Sequence, residues 1–419
     1  MELQANQTTF RSYLFFWSGQ LVSLLGSSIV QFVLIWWITL ETGSALFLAL
    51  ASFLGLVPMV ILGPLTGVFA DRVNRKGLIF TADLLQALAT LVLIVMFWFG
   101  MSSIWLVLTL LTARGVFQAF HLPTTQAIVP SMVPADKLSR MNGLSYLFTG
   151  AVSLVGPVLG AVLLSFWVIS QVLWIDVATF LVAVVPLLIV RIPSVRSKQV
   201  VRDSSFKTDL KEGFGFIRAT RGFLPLLMLS TLLNFLLTPV ITLMPYFVKF
   251  DHLGGVEDLA LVVAAFQGGI LAGGLLMTVI RGFKRKMVAA AAAIYVVFLG
   301  YAVVALTPAG MFWFMAIGCV LMTLCIPVAN VSTQTIFQTV VPLKMQGRVN
   351  AVVSALASAA TPAGMILSGV IVQFIQTANF FLICTALGVL VLTLAWFFTD
   401  IRHVDKNAIS NNQTKTQAS

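Results

Sequence analysis

Charge is scarce in this chain of 419 residues, of which only 9% are Asp, Glu, Lys or Arg. Soluble domains carry about 25% charged residues, so the sequence lacks the charge needed to cover a water-exposed surface. Hydrophobic residues instead make up 59% of the chain. This balance excludes a soluble enzyme, a disordered regulator and a secreted disulfide scaffold, and it predicts an all-α membrane protein.

Cysteine and histidine are also rare, with three residues of each. Cys319, Cys325 and Cys384 all fall in hydrophobic segments without metal-ligand spacing, which favours packing roles. The hydrophobic segments contain no zinc-type histidine spacing, no paired catalytic carboxylates and no Ser/His/Asp set. We therefore expect neither an enzyme nor a bound metal or cofactor.

Twelve hydrophobic segments of membrane-spanning length take up nearly the whole chain. Their predicted bounds are 13–40, 46–70, 77–99, 102–122, 142–166, 168–190, 222–248, 258–280, 287–307, 310–333, 347–376 and 379–399. When alternate loops are placed on one side, every Lys and Arg lies there except Arg114 and Lys249. The positive-inside rule then predicts cytoplasmic termini, and it assigns the net charge of +11 to topology rather than to nucleic-acid binding.

The spans form two groups of six, separated by a polar and mostly basic stretch. We predict an N-terminal six-helix bundle at 1–190, a cytoplasmic linker at 191–221, a C-terminal six-helix bundle at 222–400 and a disordered cytoplasmic tail at 401–419. An amphipathic helix is expected within the linker, with its apolar face formed by Phe206, Leu210, Phe214 and Ile217.

The two groups of spans are related in sequence. Residues 125–143 align with residues 333–351 at a constant offset of 208, which pairs Pro134 with Pro342, for example. Duplicated six-helix halves are typical of secondary transporters, whose substrate site lies at the interface of the halves. The repeat therefore predicts two pseudo-symmetric bundles.

Ionisable residues inside the spans are candidate functional residues, because a charge within a bilayer is costly. Arg114 lies about 12 residues into the fourth span, roughly 18 Å deep. Asp83, Asp176 and Glu41 are the candidates for proton coupling. Each has an alternative interpretation. Asp83 could be a static partner of the basic loop, Asp176 could cap a helix or pair locally, and Glu41 could be an ordinary residue of an outer loop. Arg114 could instead be satisfied by backbone carbonyl groups alone.

Polar residues recur at helical spacing on several spans, as expected for helix faces that line a water-accessible cavity. We assign to the substrate cavity Gln20, Ser27, Gln31, Arg114, Gln118, Asn234, Thr238, Gln334, Ser354 and Ser358. The alternative is hydrogen bonding between packed helices. His121 shares the face of Arg114, but its place near the end of the span is more typical of a capping or loop histidine, so it is not among the candidates.

Two segments are candidates for gating. The first is GPLTGVFADRVNRK, whose residues Gly67, Asp71, Arg72, Arg75 and Lys76 could form a latch on a neighbouring helix end that breaks when the halves move. A positive-inside anchor is the alternative. The second is GAVSLVGPVLGAVL in the fifth span, where Gly156, Pro157 and Gly160 permit close packing and a bend, or form an ordinary packing kink.

These segments resemble motifs of the major facilitator superfamily. The loop segment is similar to the superfamily's pattern of a glycine, three residues, Asp-Arg and a basic pair. LTARGVFQAF, with Arg114 and Gln118, resembles its intramembrane-arginine motif, although Ala119 replaces an expected glycine. GAVSLVGPVLGAVL resembles the glycine-proline motif of the drug/proton antiporter branch.

The chain is most similar to the Mef-type macrolide-efflux group, through GQLVSLLGSSIVQ, ETGSA, ADL, FHLPTTQA and WIDV. This resemblance implies export of bulky amphipathic compounds, such as macrolide-like antibiotics, across the bacterial cytoplasmic (inner) membrane by proton antiport and alternating access. The proton gradient would be the energy source. Expected partners are a small amphipathic substrate and membrane lipid, with the protein acting as a monomer. Alternatives are a siderophore or lysophospholipid exporter of the same superfamily and a non-transporting membrane sensor.

Overall fold

The first half of the chain folds into six long helices. The computed structural model describes residues 6–192, 206–280, 283 and 285–403, and among these residues it contains helices and no strand. The helices of the first half are α1 (Gln7–Thr42), α2 (Ala45–Arg72), α3 (Arg75–Trp98), α4 (Ile104–Met132), α5 (Ala135–Phe166) and α6 (Ile169–Ile189).

The second half begins with a shorter helix, α7 (Phe206–Ala219), in the predicted linker. The helices that follow are α8 (Phe223–Tyr246), α9 (Val256–Val279), α10 (Lys286–Ala305), α11 (Phe312–Leu324), α12 (Ile326–Val340), α13 (Leu343–Ile371) and α14 (Thr377–Phe398). A π-helical turn, Phe247–Asp251, continues α8, and a 3-10 turn, Asp400–His403, follows α14. Counting α11 and α12 as one, 12 of the described segments are long and apolar enough to cross a membrane, which confirms the predicted fold class.

Several helices run past the predicted ends of their apolar segments. We predicted that the fourth span ends at 122 and the fifth begins at 142, whereas α4 continues to Met132 and α5 starts at Ala135. These bounds were wrong because hydropathy marks where a helix becomes polar, not where its hydrogen bonding stops. α4 also continues through Pro123 and Pro130.

The tenth span, predicted as one helix at 310–333, consists of α11 and α12 with a break at Cys325. Pro327 lies in the first turn of α12. Proline has no backbone N–H, so residue 327 cannot bond to the carbonyl of Thr323, and the helix restarts there. The three cysteines are free thiols, and Cys319 and Cys384 are buried, as expected for packing residues.

The chain divides into two compact units. The first contains 1–200, 248–250 and 254–264, and the second contains 201–247, 251–253 and 265–419. In the N-terminal unit, α1 packs on α5 and α6, and α3 packs on α4 and α6. In the C-terminal unit, α8 packs on α13 and α14, and α10 packs on α11, α12 and α14. The same packing pattern therefore occurs twice, as the sequence repeat predicts.

The repeat is also visible in the backbone at its two prolines. Pro134 precedes α5 with φ −56° and ψ 145°, and Pro342 precedes α13 with φ −57° and ψ 144°. In both places the proline carbonyl accepts a hydrogen bond from the amide three residues later, at 2.9 Å and 2.8 Å. The proline fixes φ and starts the next helix without an N–H to satisfy.

The linker helix α7 packs on α13. Ile217 is fully buried, whereas Phe214 is 44% exposed, so the predicted apolar face is only partly covered; the side chains of Phe206 and Leu210 lie outside the described residues. A Cβ on Gly213 would lie 2.5 Å from the carbonyl oxygen of Arg348, so this close approach needs glycine. The predicted domain bounds at 190, 221 and 400 remain predictions.

The glycine face of α5 packs directly on α1. A Cβ added at Gly156 would lie 2.7 Å from the Cβ of Ser28, and one added at Gly160 would lie 2.8 Å from Cδ1 of Phe32. Pro157 between them is buried. Close packing of two helices thus accounts for both glycines, and their predicted gating role remains a prediction.

Replacing Gly156 with alanine is expected to destabilise the protein by about 1–3 kcal/mol, the usual cost of overpacking a tight interface. Gly143→Ala, on the same helix, is the matched control, because a Cβ there meets nothing within 4 Å. Alanine favours helix over glycine, so Gly143→Ala should be neutral or stabilising. Thermal unfolding of both variants in detergent checks this; equal effects would contradict the packing account.

Candidate functional site

Arg114 is buried in the N-terminal unit and forms an ion pair there. Its side chain lies on α4 and is only 9% exposed. Nη1 lies 2.6 Å from Oδ2 of Asp176 on α6 and also donates to the hydroxyl of Thr90 on α3. Ser27 on α1 and Thr90 donate to Asp176 at 2.9 Å and 2.6 Å. One guanidinium group and two hydroxyl groups therefore hold the carboxylate. The four side chains of this cluster come from four different helices.

A second polar cluster in this unit joins Gln20 on α1, Asp83 on α3 and His121 on α4. Nε2 of His121 lies 3.1 Å from Oδ1 of Asp83 and 2.9 Å from Oε1 of Gln20. Nε2 of Gln20 donates to Oδ2 of Asp83 at 3.4 Å. The carboxylate side chain is 6% exposed and the imidazole 15% exposed.

The two clusters form successive layers along the same helices. Three helices each contribute to both layers at positions seven residues apart, and these pairs are Gln20/Ser27, Asp83/Thr90 and His121/Arg114. Seven residues are about two helical turns, so the layers lie roughly 10 Å apart along the helices. We call the layer of Asp83 the His–Asp layer and the layer of Asp176 the Arg–Asp layer.

Apolar clusters close both ends of this polar column. On one side lie Phe16, Ile79 and Ile128, and on the other lie Leu34, Leu93 and Leu111. Each of α1, α3 and α4 therefore runs from an apolar cluster through both polar layers into a second apolar cluster. Buried polar groups surrounded in this way need partners within the protein.

The structure decides between the interpretations of the buried charges. Asp83 pairs with His121 and Gln20, so its interpretation as a partner of the basic loop was wrong. Asp176 pairs with Arg114. Arg114 also lies 3.4 Å from the carbonyl oxygen of Gln86, so backbone carbonyl groups are not its only partners. His121, omitted from the sequence candidates, is a central member; its spacing of seven residues from Arg114 was the signal that could have identified it.

The other predicted residues lie in varied places. Glu41 is exposed in the last turn of α1. Gln31 and Ser354 are exposed, and Gln118 and Ser358 are half-buried. Their assignments to proton coupling and to the substrate cavity remain predictions.

A large cavity of about 880 Å³ lies within the C-terminal unit. Among the predicted cavity residues it is lined by Asn234, Thr238 and Gln334. Further polar lining comes from Ser230, Thr231, Asn330, Thr333, Thr335, Gln338 and Thr361, and apolar lining includes Phe266, Ile270, Ile294, Val297, Met322 and Phe337. None of the described residues that line this cavity is charged.

The basic end of the loop motif bonds to backbone carbonyls of α4 and of the end of α6, within its own unit. Arg75 donates to the carbonyl of Ala127 at 2.9 Å, and Lys76 donates to the carbonyls of Leu188 and Val190 at 2.6 Å and 3.0 Å. A cation on the last carbonyls of α6 also favours the helix dipole. The surroundings of Gly67 and the side chains of Asp71 and Arg72 lie outside the described residues.

The described residues form twelve apolar spans in two units with the same packing pattern, with a buried ion pair in one unit and a large cavity in the other. Together with the sequence matches, these features identify a membrane transporter of the major facilitator superfamily. The chain belongs to the transmembrane secretion effector family of this superfamily, whose sequence profile matches residues 5–418.

Known relatives cover most of the chain. It is 30% identical over 390 residues to Macrolide efflux protein A of Streptococcus pyogenes, covering 93% of this chain and 96% of the relative. It is 29% identical over 324 residues to Macrolide efflux protein A of Enterococcus faecalis, covering 77% of this chain and 100% of the relative. The crystal structure of a mutant of the nucleoside transporter NupG matches with a TM-score of 0.68 at 14% identity, over 90% of this chain and 98% of that one; this likeness concerns the fold.

Removal of one member of the Arg–Asp layer is expected to cost about 3–5 kcal/mol of stability, because the other charge stays buried without its partner. We therefore expect Arg114→Gln and Asp176→Asn each to lower the unfolding temperature strongly, while the double variant recovers part of the loss. A double-mutant cycle on thermal unfolding in detergent measures this coupling.

Arg221→Gln is the matched control, because it removes an arginine that lies outside the spans. Arg221 bonds to Asp400 at 2.8 Å and 3.0 Å, but its side chain is 76% exposed, so we expect little effect on stability. Additive effects of the two buried substitutions would contradict the ion-pair account.

Proposed function

We propose that this protein exports bulky, macrolide-type compounds from the bacterial cytoplasm by proton antiport and alternating access. It does so in the cytoplasmic membrane with both termini on the cytoplasmic side, and it moves its substrate without chemical change. The observation that carries the proposal is the uncharged cavity of the C-terminal unit.

The size and lining of the cavity fit a large amphipathic molecule. Drug-sized ligands occupy sites of about 300–1,000 Å³, and this cavity lies at the upper end of that range. Leucine, isoleucine and phenylalanine side chains offer apolar contact, while Asn234, Asn330 and Gln334 offer amide donors and acceptors. A substrate with an apolar body and several hydroxyl or carbonyl groups matches this surface.

The relatives favour the same substrate class. Macrolide efflux protein A of Streptococcus pyogenes aligns with almost the full length of both chains. The siderophore and lysophospholipid alternatives predict transport of anionic or zwitterionic compounds instead of macrolides. The sensor alternative predicts substrate binding without any proton flux.

Transport in proteoliposomes tests this function. Purified protein is reconstituted, a pH gradient is imposed in either direction, and a labelled macrolide is followed with and without an uncoupler. Accumulation that follows the gradient and disappears with the uncoupler is expected. Movement that ignores the gradient would exclude proton antiport, and no movement of any macrolide would exclude the substrate class.

Polar residues of the cavity are expected to set substrate affinity. Asn234→Leu and Gln334→Leu each remove a hydrogen-bonding amide and should raise the KM for the macrolide about fivefold to tenfold, the loss of about 1 kcal/mol or slightly more per bond. Gln373→Leu is the matched control, since Gln373 is exposed beyond the end of α13 and is not among the residues that line the cavity. Unchanged KM values in both cavity variants would contradict the assignment.

The loop latch is a separate part of the proposal. We expect Asp71→Asn to slow transport while leaving substrate affinity near the wild-type value, because a latch affects the exchange of states rather than the binding surface. Initial rates and KM in the same vesicles check this. Transport at the wild-type rate would remove the latch from the account.

A further inference from the structure

We propose that the His–Asp layer, formed by Gln20, Asp83 and His121, is the group that binds and releases the transported proton, and that the Arg–Asp layer is a fixed charge pair. This inference rests on the proton antiport of the proposed function. It assigns His121 as a proton-binding residue and assigns Asp176 a positioning role instead of a coupling role.

The Arg–Asp layer is unsuited to gain and lose a proton. Arginine does not deprotonate in proteins, so Arg114 keeps its charge. Protonation of Asp176 would leave that guanidinium buried without a counter-charge, and it would also disrupt the bonds from Ser27 and Thr90. The protonated state of this layer is therefore penalised by its own partners.

The His–Asp layer has a defined position for one more proton. Nε2 of His121 faces Oδ1 of Asp83 and Oε1 of Gln20, which are both acceptors when Asp83 is ionised, and in that state Nε2 carries the hydrogen. Nδ1 of the same ring is buried and has no hydrogen-bond partner among the described residues. In the neutral ring Nδ1 is the bare nitrogen, and a proton that binds there makes an imidazolium beside the Asp83 carboxylate.

This step conserves the existing contacts. A hydronium ion gives its proton to Nδ1 and leaves as water, no bond within the layer breaks, and Nε2 of the resulting imidazolium lies 3.1 Å from a carboxylate oxygen. The layer therefore alternates between two charge states without breaking its hydrogen bonds.

The other titratable groups on the neighbouring helices are few. They are Arg11, Tyr13 and Glu41 on α1, Arg75 and Lys76 on α3, Arg114 on α4, Asp136, Lys137, Arg140 and Tyr146 on α5, and Asp176 on α6; Asp71 and Arg72 on α2 have side chains outside the described residues. Glu41 lies in the last turn of α1, and Tyr146 is 64% exposed. The nearest pair is the Arg–Asp layer about two turns away, whose opposite charges offset each other. Arg75 donates to the carbonyl of Ala127, and Lys76 donates to that of Leu188.

The test compares gradient-driven accumulation of a labelled macrolide with its exchange at equal pH on both sides. His121→Gln keeps an N–H donor in place of Nε2 but cannot bind a proton, and Asp83→Asn removes the carboxylate. Both variants are expected to lose gradient-driven accumulation and to retain exchange. Wild-type accumulation in His121→Gln would overturn the proposal.

Matched controls separate loss of the proton site from general damage. His252→Gln removes a buried histidine of the C-terminal unit, whose nitrogens lie 3.1 Å and 2.9 Å from the carbonyls of Phe247 and Thr307. Asp136→Asn removes an exposed carboxylate on α5. Both controls should retain gradient-driven accumulation; loss of coupling in both would count against a specific role for the His–Asp layer.

A measurement without substrate keeps the inference separate from the proposed function. Nitrogen-15 NMR of histidine-labelled protein in lipid, with the His121 signal assigned by its loss in His121→Gln, follows the ring between about pH 5.5 and about pH 8.5. We expect a change between neutral and cationic rings that Asp83→Asn alters and Asp136→Asn does not. A ring that keeps one form throughout would overturn the proposal, even if macrolide transport is confirmed. If no macrolide moves in wild type, the proposed function fails and this titration alone decides the inference.

Discussion

A guanidinium group buried among apolar helices is the constraint on which the N-terminal unit depends. Arg114 cannot give up its charge, and its side chain is only 9% exposed. Asp176 supplies the counter-charge at 2.6 Å, and hydroxyl groups of Ser27 and Thr90 satisfy its oxygens. Because these partners come from four different helices, the ion pair also fixes how α1, α3, α4 and α6 align with one another.

The C-terminal unit uses the same helix packing for a different interior. Positions 208 residues after Arg114, Gln118 and His121 are occupied by Met322, Ile326 and Ala329, and all three line the cavity. Thr333 and Gln334, which repeat Thr125 and Gln126, line it as well. The duplicated helix thus carries charge in one unit and lines an uncharged cavity in the other. This difference is consistent with the proposal that one unit binds the proton and the other binds the substrate.

Much of the fold could be predicted from the sequence, and part of the site could not. Hydropathy identified the spans, and the repeat around Pro134 and Pro342 predicted the matching halves, because both depend on local composition. Helix ends such as Met132 were missed because hydrogen bonding continues after the apolar stretch ends. Buried charges pointed to Arg114, Asp83 and Asp176, since charge within a span is conspicuous in any sequence.

Which groups pair with each other depends on how helices distant in sequence pack. Asp83 meets His121 only because α3 and α4 pack side by side, and Gln20 joins them from α1. Likewise, the sequence alone does not show whether a polar stripe on a helix lines a cavity or packs against another helix. Asn234 and Gln334 proved to line the cavity, whereas Gln31 and Ser354 are exposed.

The central claim is that substrate in the cavity and a proton in the N-terminal unit compete through the two states of one transporter. Proton release on macrolide binding tests it most directly, with purified protein in weakly buffered detergent solution and a pH-sensitive dye. The account predicts that binding releases protons from wild-type protein near neutral pH and releases none from His121→Gln. Macrolide binding to wild-type protein without any proton release would contradict it.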